Sequence, residues 1–363
     1  MQFIGFNAHL LDRKLSGNLL ELQLGNEFRQ DKLATNFSLL ENEIVLEVPK
    51  EYQNQTNYQV NDLYFKSKYL LKFKDFSFVG KLNFHQLFNR LKNNTNSQNE
   101  SPFFINPTVR FDWEINSKNK ITSSYSYNTT NAKILDVFSD FVLTGFRSFS
   151  KGTNSFNQLD ASSITLNYEL GNWNDRFFAN TFIIYNKNHD FFSTNSILNQ
   201  NFTQAEKILI KDREFISVNS KLDYYFKFIS SNLKLDLGYT KSEFKNSVNN
   251  SNLRQVSSNN YNYGLELRSG FSGVFNYHIG TKWNTTEIKT SINNSFTNNV
   301  SFLDLSFMVN ERLDFQFQSE RYYFGNLETD NSYYFLDFDA RYKLIKNKLT
   351  LGLTGKNLFN TEK

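Results

Sequence analysis

Apolar and polar residues alternate along most of this chain, and a period of two sustained over long segments leaves few folds open. Ile164, Leu166, Tyr168 and Leu170 fall on one side of a strand, with Thr165, Asn167 and Glu169 on the other. The same pattern runs through Leu222, Tyr224, Phe226 and Phe228, then Leu233, Leu235, Leu237 and Tyr239. It continues through Tyr261, Tyr263, Leu265 and Leu267, then Phe275, Tyr277, Ile279 and Trp283. Leu303, Leu305, Phe307 and Val309 precede Leu313, Phe315 and Phe317, and Tyr334, Leu336, Phe338, Ala340, Tyr342 and Leu344 precede Leu349, Leu351 and Leu353. Outside one loop, no segment shows a sustained helical period.

The breaks between strands alternate in length. Tight breaks at 116–119, 171–174, 230–232, 270–273, 310–312 and 346–348 are interleaved with long polar stretches at 29–60, 91–101, 132–160, 190–212, 247–257 and 288–297. Short turns at one end and long loops at the other are the asymmetry of an antiparallel transmembrane β-barrel, with brief periplasmic turns and extended extracellular loops; about 16 strands are expected. Strands of about ten residues cross a bilayer at a tilt, whereas globular strands average about five or six. In hydrocarbon an unpaired backbone group is costly, so such a sheet is expected to close.

Aromatics make up 17% of the 363 residues, including 39 Phe and 19 Tyr, and there are only 3 Pro. Trp113 beside the 116–119 turn, Trp173 inside the next, Phe226 and Phe228 before 230–232, and Tyr322 and Tyr323 near the far loop fit interfacial girdles. A net charge of +4 is too balanced for a nucleic-acid binder. The absence of Cys removes disulfides, thiolate nucleophiles and cysteine metal sites. Mean hydropathy is negative, and no apolar run approaches the ~20 residues of a membrane-spanning helix. A secreted all-β adhesin or glycan-binding module shares the alternation, since any half-buried strand alternates.

Catalytic chemistry is sparse, and the chain reads as a non-enzyme without cofactor or metal. His9, His85, His189 and His278 are spaced by more than 70 residues each, outside any ligand-spaced cluster. His189 and Asp190 adjoin, but neighbours on a strand face opposite ways. Gly352-Leu353-Thr354-Gly355-Lys356 has the wrong spacing for a phosphate loop, and Asn357 follows the lysine. Asp236, Glu266, Asp337 and Asp339 lie on the polar side of strands and are expected to face a lumen. The mixed-charge segment 204–213 is expected to form one or two helical turns within a loop.

The 132–160 stretch carries Phe138, Phe141, Phe146, Arg147 and Phe149, a heavy apolar load for a loop. Two readings stand: Phe141, Phe146, Arg147 and Phe149 contact a ligand, or the rings pack against neighbouring loops.

The end of the chain, Leu349-Thr350-Leu351-Gly352-Leu353-Thr354-Gly355-Lys356-Asn357-Leu358-Phe359-Asn360, resembles the late-strand motif of TonB-dependent outer-membrane receptors. Gly355, Asn357, Leu358, Phe359 and Asn360 carry that signature and are expected to be structural. Asn106-Pro107-Thr108-Val109-Arg110-Phe111, the return over Ile121 to Tyr127, and a long loop before Ser163 to Leu170 are similar in layout to Bacteroidota-type members. The resemblance implies an outer-membrane barrel embedded in lipid, taking up a siderophore, cobalamin, glycan or peptide. It also implies a TonB complex engaged through a plug domain, and a surface lipoprotein as a possible partner. Family barrels have about 22 strands. Residues 1–363 are therefore expected to be one barrel domain, incomplete at both ends, lacking the plug, a signal peptide and the last strand. The other outer-membrane reading is a plugless porin or assembly barrel.

Overall fold

A computed structural model describes all residues except 47–48, 95, 173, 271–272, 346–347 and 362–363. Trp173 and the Lys346–Asn347 part of the last turn thus lie outside the described residues. The strands, in chain order, are β1 (Gln2–Arg13), β2 (Leu19–Asn36), β3 (Leu39–Glu41), β4 (Ile44–Leu46), β5 (Gln53–Phe73), β6 (Phe76–Lys92) and β7 (Ser97–Glu100). Then come β8 (Phe103–Asn116), β9 (Asn119–Asn131), β10 (Val142–Gly145), β11 (Ser148–Lys151), β12 (Gln158–Leu170), β13 (Phe177–Leu198) and β14 (Thr203–Phe226). The last are β15 (Ser231–Val248), β16 (Arg254–Ser269), β17 (Phe275–Lys289), β18 (Asn293–Asn310), β19 (Leu313–Phe324), β20 (Ser332–Ile345) and β21 (Leu349–Gly355). A short α-helix, α1 (Ile134–Val137), lies between β9 and β10, and a single 3-10 turn, Lys50–Tyr52, precedes β5.

All but β3 and β4 belong to one 19-stranded sheet. Its frame is a meander in which each long strand pairs antiparallel with the next: β1–β2–β5–β6–β8–β9–β12, then every strand in order to β21. That is sixteen strands among the described residues, fifteen of them of 12 residues or more and β21 of 7, as the strand and turn pattern predicts. β1 and β21 are not paired with each other, so the sheet is not closed.

Turns at one end are tight without proline because asparagine supplies them. Asn116 Oδ1 accepts from the backbone N–H of Lys118 and Asn119 at 2.9 and 3.0 Å. Asn310 Oδ1 does the same for Arg312 and Leu313 at 2.8 and 3.1 Å. Such Asx turns mimic a backbone turn. At Gly171 the turn demands glycine: its φ is +77°, and a Cβ would sit 2.3 Å from the Phe177 carbonyl oxygen.

The opposite end departs from expectation. The polar stretches 190–212, 247–257 and 288–297 are not long loops. Ladder pairing continues through them, leaving only residues 199–202, 249–253 and 290–292 as connections. Segment 204–213 is accordingly part of β14 rather than helical. A strand needs only its backbone partners, so hydrogen bonding outlasts the apolar alternation. Long connections persist at 37–52 and 132–157.

Candidate functional site: two faces and a filled mouth

The register sorts side chains into two faces. On one, Phe65 pairs with Phe84 and Phe84 with Ile105. Further along, Leu235 pairs with Leu265, and Leu267 with Ile279, which pairs with Leu303. Many of these side chains are exposed, Phe65 by 38%, Leu265 by 47% and Ile279 by 46%. A face of exposed Leu, Ile and Phe on strand after strand has no place against water. Rings bound this face at both ends. Near the tight turns Phe76 stacks on Trp113 at 5.6 Å, Phe177 meets Tyr224 at 6.0 Å and Phe275 meets Phe307 at 4.8 Å. Toward the other end Tyr239 meets Tyr261 at 5.2 Å and Tyr263 stacks on Trp283 at 6.2 Å. Of the expected girdle residues, Phe228 sits in a turn, 94% exposed. Tyr322 faces the other way, its hydroxyl donating to Glu320 Oε2 at 2.6 Å, while Tyr323 shares the apolar face.

The second face is polar and laced across strands. Lys282 Nζ lies 2.8 Å from Glu266, and His278 lies between Glu266 at 3.4 Å and Asp304 at 3.5 Å. His85 faces Asp62 at 2.9 Å, and His9 faces Glu21 at 3.2 Å. Sequence distance concealed these pairs; cross-strand register makes them. His189 bonds Ser162 rather than Asp190. Among the described residues no group of three or more His, Asp or Glu is arranged to hold a metal ion.

At the long-loop end this polar face is covered. Tyr58, Val60, Leu87 and Leu91 on β5 and β6 pack with Ala132, Val137 and Phe156 of the 132–157 loop, with Tyr58 fully buried and Leu91 1% exposed. A polar thread runs through the cluster. Asn89 Nδ2 donates to Asn131 Oδ1, Asn131 Nδ2 donates to the Tyr58 oxygen at 2.6 Å, and the Tyr58 hydroxyl donates to the Ala132 carbonyl at 2.9 Å. Burial pushes the Tyr58 phenol well above its usual range. Opposite, Lys207 of β14 reaches Asp136 Oδ1 at 2.6 Å and the Leu135 carbonyl at 2.7 Å.

The loop is also stitched into the sheet. β11 pairs parallel with the start of β14 over Ser148–Lys151, while the end of β13 pairs parallel with β15 at Asn195 and Ser196. Lower down β13 borders β12 and β14 borders β15. The hairpin top has therefore exchanged its neighbours. The exchange starts where the ladder skips His189 and Asp212, the latter at a φ of +61°.

The four loop candidates separate. Phe141 and Phe149 are buried, with Tyr52 5.6 and 5.1 Å from their rings and Phe37 5.2 Å from Phe149. Phe146 is 88% exposed at a turn tip, with Arg147 stacked over its ring at 5.0 Å. Tyr58, Asn89, Asn131 and Lys207 anchor the loop and escaped sequence reading, since each sits within an ordinary strand pattern.

The signature residues form a turn that folds back on β20. Gly355 ends β21, where a Cβ would lie 3.0 Å from Leu358. Asn357 takes a φ of +48°; its N–H donates to Asp337 Oδ1 at 2.8 Å, and its side chain holds both backbone polar groups of Thr361. The Leu358 N–H donates to the Leu336 carbonyl at 2.9 Å, and Asn360 closes the turn on the Asn357 carbonyl at 2.8 Å. Leu358 and Phe359 are exposed by 55% and 57%.

No protein-family model matches the chain, and no curated protein matches it. Among solved structures it is similar to the copper transporter OprC, with 9% identity and a TM-score of 0.49, covering 98% of this chain and 61% of that one. It is also similar to the ferric yersiniabactin uptake receptor FyuA from Yersinia pestis, with 10% identity and a TM-score of 0.44, covering 94% of this chain and 54% of that one. OmpTdeltaL8, from an outer-membrane protein of Vibrio cholerae, aligns at 10% identity and a TM-score of 0.32, covering 90% and 99%. The chain thus spans 61% and 54% of the lengths of the first two.

Proposed function

We propose that this chain forms wall and mouth of an outer-membrane receptor barrel of the TonB-dependent type. The observation that carries the reading is the apolar face, repeated on consecutive long strands and bounded by two rows of rings, opposite a polar, ion-paired face. That is the cross-section of a strand wall between lipid and an aqueous lumen. The turn built by Gly355 to Asn360 supports the family, and the layout around Asn106–Phe111 supports its Bacteroidota branch. In this reading the free edges of β1 and β21 are paired in the working barrel, and the plug that engages TonB fills the lumen. Substrate is selected at the mouth, where Phe146 and Arg147 project from a loop held by Phe141 and Phe149. A siderophore, cobalamin, glycan or peptide fits such a vestibule.

The test is fractionation followed by reconstitution. The chain expressed with an outer-membrane leader should sediment with outer membranes, resist carbonate extraction and require detergent for release. A monodisperse product in plain buffer would favour a secreted adhesin instead. Liposomes carrying the chain alone that swell in small sugars would favour the porin reading.

A further inference from the structure

The apolar face carries one anomaly. On β14 to β20, the described outward positions between the ring rows, from Ile216 to Phe226, Leu233 to Tyr239, Tyr261 to Ser269, Phe275 to Thr285, Thr297 to Phe307, Leu313 to Tyr323 and Tyr334 to Tyr342, are uncharged at every alternate residue but one. The exception is Arg321.

Register fixes its side and depth. Arg321 lies opposite Ser301 and Tyr334, and Ser301 lies opposite Thr281, which lies opposite Leu265. The row just above is Tyr263, Trp283, Asn299 and Tyr323, the girdle at the long-loop end. Arg321 therefore sits at the hydrocarbon edge of that girdle. Its guanidinium lies over the rings of Tyr323 and Tyr334 at 5.9 and 5.8 Å, and its Nε is buried without an acceptor. It makes none of the chain's described ion pairs, and Glu320 next to it faces the opposite side of the sheet.

A groove leads away from this cation along the apolar face. Its volume is about 650 Å³, and it is lined by the apolar Leu267, Ile279 and Leu303 and by the small Thr281, Ser301 and Ser319, with Arg321 at its margin. Thr281 and Ser301 hydrogen-bond each other across the strands at 2.9 Å, so these two hydroxyls make no polar demand on an occupant.

We propose that Arg321 and this groove bind a phosphate-bearing lipid of the leaflet at the long-loop end, with phosphate on the guanidinium and an acyl chain along the groove. A lipid-facing charge is costly at the bilayer midplane and cheap near the interface, so a cation at the girdle edge is placed where an anionic headgroup meets it. A planar fork of donors suits phosphate oxygens. The groove is continuous with the lipid-facing band, so lipid is the occupant this surface already meets. The inference rests on the wall reading given above.

The test is native mass spectrometry of the full chain folded in detergent, with heat-modifiable gel mobility reporting the fold. The probes are diphosphorylated lipid A, its dephosphorylated form, and inorganic phosphate. The wild-type chain should retain the diphosphorylated lipid, and loss of one charge-assisted contact in Arg321→Gln should weaken retention about tenfold or more, with Arg321→Lys intermediate. Ser319→Phe fills the groove while leaving the cation and should also lose the lipid. Equal retention by wild type and Arg321→Gln, equal binding of the dephosphorylated lipid, or displacement by inorganic phosphate would each overturn the lipid site while leaving the wall reading intact. A chain that folds free of detergent would overturn both.

Discussion

The mouth over β5 and β6 and the open wall from β15 to β19 use the same ladder and the same polar-face alternation, yet only the first has a core on that face. Tyr58 and Leu91 are shut off by the 132–157 loop, whereas Lys282 on the equivalent face of β17 has a side chain 57% exposed. Strand pairing builds the wall in both regions. Burial on the lumenal side is added where a connection is long enough and apolar enough to fold back. The mouth is therefore a small packed unit mounted on the strand wall.

The largest expected effect separates these regions. Leu91→Ala removes a fully enclosed side chain and should destabilise the loop by about 2–5 kcal/mol, read as hydrogen exchange or protease cleavage within 132–157. Val300→Ala, at a half-buried site on the polar face of β18, should leave exchange of its own strand within about 1 kcal/mol of wild type. Equal losses would dissolve the distinction.

Glycine substitution sharpens it. A Cβ on Gly25 would lie 2.5 Å from the Tyr64 ring, whereas nothing lies within 4 Å of one on Gly352. Gly25→Ala should cost about 1–3 kcal/mol and lower the unfolding midpoint in denaturant, and Gly352→Ala should not. The Lys207–Asp136 contact comes next. Asp136→Asn, at a half-buried pair joining β14 to α1, should raise loop exchange by about 1 kcal/mol, with strand exchange in β17 unchanged.

The smallest effect is a pH dependence. Burial holds the Tyr58 phenol protonated in the folded state above the value of about 10 it has when free. Its contribution is complete below that value and is lost as pH rises toward the folded value, because only the unfolded chain then releases the proton. Loop exchange should therefore accelerate above about pH 10 more in wild type than in Tyr58→Phe. Parallel profiles would remove Tyr58 from the anchoring thread.

Much of the wall is legible in the sequence because a period of two needs no tertiary information, and the strand segments from Leu222 to Leu353 follow it closely. The hairpin tops are not legible. Residues 190–212 read as loop because polar residues occupy both faces there, and backbone pairing is indifferent to that. The candidate loop residues show the same division. An apolar load at 132–160 is visible in one dimension, but whether a ring is buried like Phe149 or projects like Phe146 depends on Tyr52 and Phe37, about a hundred residues away. The lumenal His–carboxylate pairs are invisible for the same reason. The chain order of β16, β17 and β18 separates His278 from Glu266 and Asp304, and register reunites them.

The central claim, that one face of this sheet meets lipid and the other water, has a direct test. The chain contains no cysteine, so single Cys substitutions at Ile279 and from Thr281 to Asn284 on β17 can each carry a spin label without background; Gly280 is omitted because a Cβ there would meet the Phe302 ring at 2.5 Å. In proteoliposomes the account predicts high collision rates with oxygen at Ile279, Thr281 and Trp283 and with a water-soluble nickel complex at Lys282 and Asn284. Collision profiles that do not alternate, or nickel access at Ile279 and Thr281, would contradict it.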